Sequence, residues 1–109
     1  MAKGEILVVT SDEVPGRKLV KTLGLVRGQS VRARHLGRDI QASIRTIFGG
    51  RVGVYAELLE ASREEAIDQM TAEAEKLGAN AVVAVRMSTS QIMGGAAEVL
   101  VYGTAVVTE

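Results

Sequence analysis

Between Gly49 and Val83 the chain passes from a Gly-Gly turn into one long acidic helix pattern. It then runs through Leu-Gly-Ala-Asn-Ala into a Val-rich strand. That order fixes a mixed α and β fold and contains no recognisable catalytic apparatus. The helix is expected from about Val54 to Leu77. Leu59, Ala66, Met70, Ala74 and Leu77 recur as one stripe, widened by Leu58 and Ile67, while Glu57, Glu60, Glu64, Asp68, Glu75 and Lys76 take the other side. Early acids suit the positive end of a helix dipole and Lys76 suits its last turn. Gly78 is the stop signal.

On either side of this unit the pattern is mostly extended. Ile6 to Thr10 is a short β-branched strand that ends at Ser11-Asp12-Glu13, with a turn at Pro15-Gly16. From Arg17 to Val31 one or two kinked strands are expected, with Gly24 and Gly28 marking a bulge or a close backbone approach. Leu36, Ile40, Ile44, Ile47 and Phe48 define a first helix face over 36–48, closed by Gly49-Gly50. Residues 81–92 and 96–108 form a hairpin across Met93-Gly94-Gly95. Along its first strand Val83, Val85 and Met87 are expected on one face, with Arg86, Ser88 and Ser90 on the other.

Several runs in this hairpin are apolar on both faces: Ala81 to Val85, Val99 to Val101 and Ala105 to Val107. A sheet with one wet face would alternate throughout, so these runs imply cover on both sides. One helical layer covers one of them, and a second subunit is the natural candidate for the other. Composition points the same way. The 109 residues include only three aromatics, Phe48, Tyr55 and Tyr102, so the single domain over 1–109 has a thin core of small aliphatic side chains. Thin cores often gain stability from a partner subunit.

The formal net charge is zero, so no generic attraction to nucleic acid or membrane follows. The distribution is uneven: residues 1–54 carry ten Lys or Arg against four acids, and residues 55–109 carry three against nine. The halves are expected to face each other, within or between subunits. The sharper alternative is a basic patch for an anionic ligand. The chain has no cysteine, which removes disulfides, thiolate metal sites and thiol nucleophiles and agrees with a reducing compartment. The first apolar run is only Ile6 to Val9, too short for a signal peptide or a span, so a soluble, cytoplasmic protein is expected.

A set of residues now stands out together. It comprises Arg38-Asp39, Ala42, Ile44-Arg45 and Ile47, then Gly49-Gly50-Arg51 with Tyr55, and Arg63 and Ala66. Leu77-Gly78-Ala79-Asn80-Ala81-Val82-Val83 and the closing Gly103-Thr104-Ala105-Val106 complete it, with Leu23 to Gly28 fitting an early strand. In this set the chain resembles the YbjQ-like family, whose members often carry a heavy-metal-binding label. The resemblance covers nearly everything from about residue 19 onward. It implies a small α+β subunit, a β-sheet with two helices packed on one face, dodecin-like and ring-forming, with a homopentamer as the expected form. It implies no established catalytic activity and no known cofactor. Asn80 stands where Asp is common in the family, and Arg86 and Ser88 stand where some relatives carry acids, which weakens a carboxylate metal site there.

The metal label can be weighed by donor chemistry. Soft and borderline metals want thiolates or imidazoles, typically four ligands for zinc. This chain offers a single histidine, His35, among Arg32, Arg34 and Arg38, and it reads as a surface or loop residue. Met70, Met87 and Met93 could in principle take copper(I), but their spacing fits core and hairpin packing better. The Gly49-Gly50-Arg51 turn with Tyr55 is the best candidate for a site, since backbone N–H groups and a guanidinium suit an anion. The structural alternative, favoured here, is that the glycines join two helices and Arg51 caps or pairs across an interface. No Walker or dinucleotide fingerprint is present, and Ser43, Ser62, Ser88 and Ser90 lack a nucleophile context. Glu57, Glu60 and Glu64 line up as a solvated helix face does. Asp39, Arg45, Gly49, Gly50, Arg51 and Tyr55 are therefore the candidate interface or ligand contacts. The expected function is a non-enzymatic scaffold or small-ligand module. The alternatives are a metal-binding protein and an enzyme or binder acting on an anionic small molecule.

Overall fold

The computed structural model describes residues 5–32, 52–92 and 96–109. Strand β1 (Leu7–Val8) leads to the long strand β2 (Leu19–Arg32). Helix α1 (Val52–Lys76) is followed by the hairpin strands β3 (Ala81–Ile92) and β4 (Ala96–Thr108). The sheet order is β1-β3-β4-β2, with β1 parallel to β3 and the other pairs antiparallel. The helix expected over 36–48 lies outside the described residues, so one helix and a four-stranded mixed sheet make up the described α+β fold.

The helix boundaries follow from their sequence signals. At the C-terminal end, Ala79 N–H donates to the Ala74 carbonyl at 3.0 Å and Gly78 N–H to Glu75 at 3.0 Å. This double closure requires a left-handed residue, and Gly78 supplies it at φ 90°. At the other end the helix begins at Val52 and its first turn carries no acid. The dipole interaction expected for Glu57 and Glu60 is therefore lost, because it fades within one turn.

The face of α1 that meets the sheet is narrower than expected. Ser62, Ala66, Met70 and Ala74, spaced by one turn, are buried, with Ile67 half-buried beside them. Leu77 lies past the last helical residue and is exposed, so it does not extend the stripe. Small side chains let the helix come close to the backbone of β2. A Cβ on Gly28 would lie 2.8 Å from the amide nitrogen of Met70 and closer still to the Ala66 carbonyl oxygen. Gly28 thus serves the close approach, and Gly24 the bulge: it has φ 130° where the β2–β4 register shifts.

Ser62 is the odd member of this face. Its Oγ is fully buried and has no hydrogen-bond partner among the described residues. An unmade hydrogen bond in an apolar layer is costly. Ser62→Ala should therefore raise stability by about 0.5–1.5 kcal/mol, with alanine's better helix propensity adding to it. Urea denaturation would read this as a higher midpoint at unchanged slope.

The sheet's two faces divide differently from the simple alternation. Val82 and Val85 join the core under α1, whereas Val83 packs on the opposite face with Ala81 and Val106. Val83 and Val85 therefore do not share a face as expected. The reason is a bulge: the β3–β4 register shifts between Val83 and Arg86, and Ala84 takes φ 54°. One extra residue reverses the alternation beyond it.

The face away from α1, here the distal face, is covered at one end by the chain itself. Val9 and Val14 pack over Ala81, Val83 and Val106. This segment is held by Val9 N–H to the Val82 carbonyl at 3.0 Å and Ala84 N–H to Ser11 at 2.8 Å. Arg86 Nη1 also donates to the Thr10 carbonyl at 2.9 Å. The expectation of a second subunit as the natural cover for this face is corrected for that end, where Val9 and Val14 supply the cover.

Candidate functional site

Of the candidate contacts, Asp39, Arg45, Gly49, Gly50 and Arg51 lie outside the described residues, as does His35. Tyr55 falls in the first turn of α1, and only its backbone is described. The described structure therefore places its candidate surfaces elsewhere, along β2 and on the distal face.

The register sets which side chains share that face. Arg27 stands opposite Tyr102, Gln29 opposite Leu100 and Val31 opposite Glu98 on β4. Arg86 and Ser88 of β3 continue the same rows beyond Tyr102 and Leu100. Leu25 is 69% exposed and Val31 58%, and Tyr102 is exposed beside them. Gln29 Nε2 donates to Glu98 Oε2, so the polar members pair across strands. The result is an open surface that mixes aliphatic residues with Arg27 and Arg86. The apolar runs read in the sequence lie in the hairpin and did not locate this surface, which the strand order and the β2–β4 register set.

The second feature is a groove of about 380 Å³ between β2 and α1. Arg27 and Gln29 line it from the strand, and Gln69, Ala72, Glu73 and Lys76 from the helix. Among the described residues β2 is an edge strand, so alternate backbone groups point away from β4. One of them, the N–H of Gln29, donates to Gln69 Oε1 at 3.1 Å. Lys76 and Glu73 sit 3.8 Å apart, both largely solvated, and contribute little to stability. Deeper in the layer, the Ser30 hydroxyl donates to Glu65.

A third cleft, of about 510 Å³, lies where β1 meets the chain end, lined by Leu7, Arg17, Asn80, Thr108 and Glu109. Two of its polar side chains, Asn80 and Thr108, bond within the protein. Asn80 Nδ2 donates to the Thr108 carbonyl at 2.8 Å, and Thr108 N–H returns a bond to Asn80 Oδ1 at 2.8 Å. Arg17 Nη1 reaches the Thr108 hydroxyl at 3.4 Å. The Asn80 side chain thus acts as a clamp on β4. An aspartate would keep the acceptor half of this pairing and lose the donor half.

A profile of the YbjQ family, described as "Putative heavy-metal-binding", matches residues 6–109. The chain belongs to the YbjQ family. A UPF0145 protein of Hahella chejuensis is 51% identical over 104 residues, covering 95% of this chain and all of the relative. One from Archaeoglobus fulgidus is 52% identical over 102 residues, covering 94% of each chain. A crystal structure of a protein with unknown function from Pediococcus pentosaceus, assigned to the DUF74 family, superposes with a TM-score of 0.63. It covers 95% of this chain and 98% of its own at 15% identity, a likeness of fold alone.

The metal in the family description can be set against the donors this member presents. Among the described residues no three His, Cys, Asp or Glu side chains are grouped to hold an ion. Met70 is fully buried in the apolar core and cannot reach a solvated metal. With no cysteine anywhere and His35 the only imidazole, the described donor set does not fit a thiolate or imidazole centre. Among the described residues no helix is long and apolar enough to cross a membrane.

Proposed function

We propose that this YbjQ-family chain is a non-enzymatic subunit of a cytoplasmic homo-oligomeric ring, a pentamer. It serves there as a scaffold or as a module that holds a small ligand at subunit junctions. The observation that carries this reading is the uncovered half of the distal face, where Leu25 and Val31 stand largely in solvent next to Tyr102.

Light scattering on the eluting protein tests the proposal. The expected mass is near five times the 11.5 kDa subunit. A single well-folded monomer at micromolar concentration would overturn it.

A further inference from the structure

The geometry points to the uncovered half of the distal face as the seat for the outer, acidic side of α1 from a second copy of this chain. This rests on the oligomeric reading above and deepens it by naming the two surfaces that meet at a junction.

The argument starts from the charge on the distal face. Gly28 meets the backbone of α1, and Val26 and Val101 lie in the core beneath it. Alternation therefore places Arg27 and Tyr102 on the other side of the sheet. Arg27 is in register with Tyr102 from β2 and Arg86 from β3, so the three form one row across the strands. All three are exposed. Arg86 Nη1 donates to the carbonyl oxygens of Thr10 and Val85, at 2.9 Å each. Among the described residues neither guanidinium has a carboxylate partner. Glu98, the acid on the strand rows of this face, accepts from Gln29 instead.

The opposite side of the subunit carries the opposite charge. Ala66, Met70 and Ala74 of α1 are buried against the sheet. Helical periodicity then puts Glu57, Glu60, Glu64, Asp68 and Glu75 on the far side, and all five are exposed. No Lys or Arg interrupts that stripe, since Lys76 lies on the flank, 3.8 Å from Glu73. One surface thus offers bases without acids and the other acids without bases. Such complementarity fixes which surfaces meet and in what register. Because the two lie on opposite sides of one subunit, the contact is head-to-tail, the kind that closes into a ring.

Spacing selects the carboxylates. Arg27 and Arg86 stand two strand spacings apart, about 9.5 Å. Helical residues seven apart return to one side and lie about 10.5 Å from each other. Two pairs of the stripe qualify, Glu57 with Glu64 and Asp68 with Glu75. Between the first pair lies Glu60, a third carboxylate that would meet Tyr102 with no base beside it. Between the second lie Thr71 and Ala72, uncharged and small enough to receive the ring. With Asp68 at Arg27 and Glu75 at Arg86, α1 ends at Lys76 just past β3. It therefore stops short of the Val9 to Val14 segment that covers the other end of the face. A helix about 10 Å across then lies against Leu25 and Leu100, one row to either side.

Charge exchange tests this in the full chain. Arg27→Glu is one variant, Asp68→Arg a second, and the two together a third. Among the described residues neither side chain bonds within its own subunit, and circular dichroism checks that each variant keeps its fold. Light scattering across a dilution series should show the first two dissociating at protein concentrations at least tenfold above wild type. The third should return to the wild-type midpoint. A fourth variant, Ala72→Cys with Tyr102→Cys, reads the contact itself, since the chain has no thiol of its own. The two positions lie on opposite faces of a subunit, beyond the roughly 7 Å Cα limit for a disulfide, so any bond joins two copies. Oxidation should give a ladder of linked species that collapses with reductant. Unchanged midpoints in the single variants, no recovery in the third, or no ladder from an oligomeric fourth each overturn this junction and leave the oligomer standing. A monomeric wild type overturns both this inference and the reading on which it rests.

Discussion

Gly28→Ala should destabilise the fold by about 3 kcal/mol or more, the upper range for overpacking a rigid site. The added methyl would meet the Ala66 carbonyl carbon at 2.9 Å and the Met70 amide nitrogen at 2.8 Å. These are helix backbone atoms, which cannot rotate aside, so α1 must lift from β2. Lifting it separates Val26, Ala66 and Met70, members of one buried cluster. A domain of this size has about 5–15 kcal/mol of total stability, so the loss is a large fraction of it. Urea unfolding followed by helical circular dichroism would show the midpoint falling sharply. Because the obstruction is backbone, adding Ala66→Gly should not restore it. A rescue by that second change would show that the close approach is governed by side chains instead.

Met70→Ala is the second large effect. Met70 is fully buried, the largest side chain on the sheet-facing stripe of α1, packed among Val26, Val99 and Val101. Truncation removes its burial and leaves a cavity between helix and sheet. The expected cost is about 2–5 kcal/mol. The surrounding residues are strand valines and helix alanines, which are stiff or short and fill little of the space. Met70→Leu, which keeps most of the volume, should cost under about 1.5 kcal/mol. Thermal and urea midpoints of the two variants, measured at one protein concentration, check the pair. A loss for Met70→Ala no larger than for Met70→Leu would mean that the helix closes down onto the sheet.

The local signals in the sequence carried much of the architecture. The glycine at 78 closed α1 because a left-handed residue is needed there. Gly24 marked a real irregularity in β2, and the Val-rich runs became a hairpin paired from Ala81 to Ile92. These features depend on backbone conformation or on alternation within a few residues, and composition records both. The candidate contacts at Asp39, Arg45 and Gly49 to Arg51 fall outside the described residues. The surfaces along β2 were not legible as a site, because no motif distinguishes an edge strand from a central one.

What the amino acids determined alone is the order of helix and strands, the acidic outer side of α1, the absence of thiol chemistry and the family. What only the tertiary structure decided is which apolar residues stay in water. Ala84 bends β3 and sends Val83 to the distal face, where Val9 and Val14 cover it. Leu25 and Val31, with the same alternating pattern, are left uncovered. Burial depends on what lies across the sheet, and that is set by strand order and bulges among residues far apart in the chain.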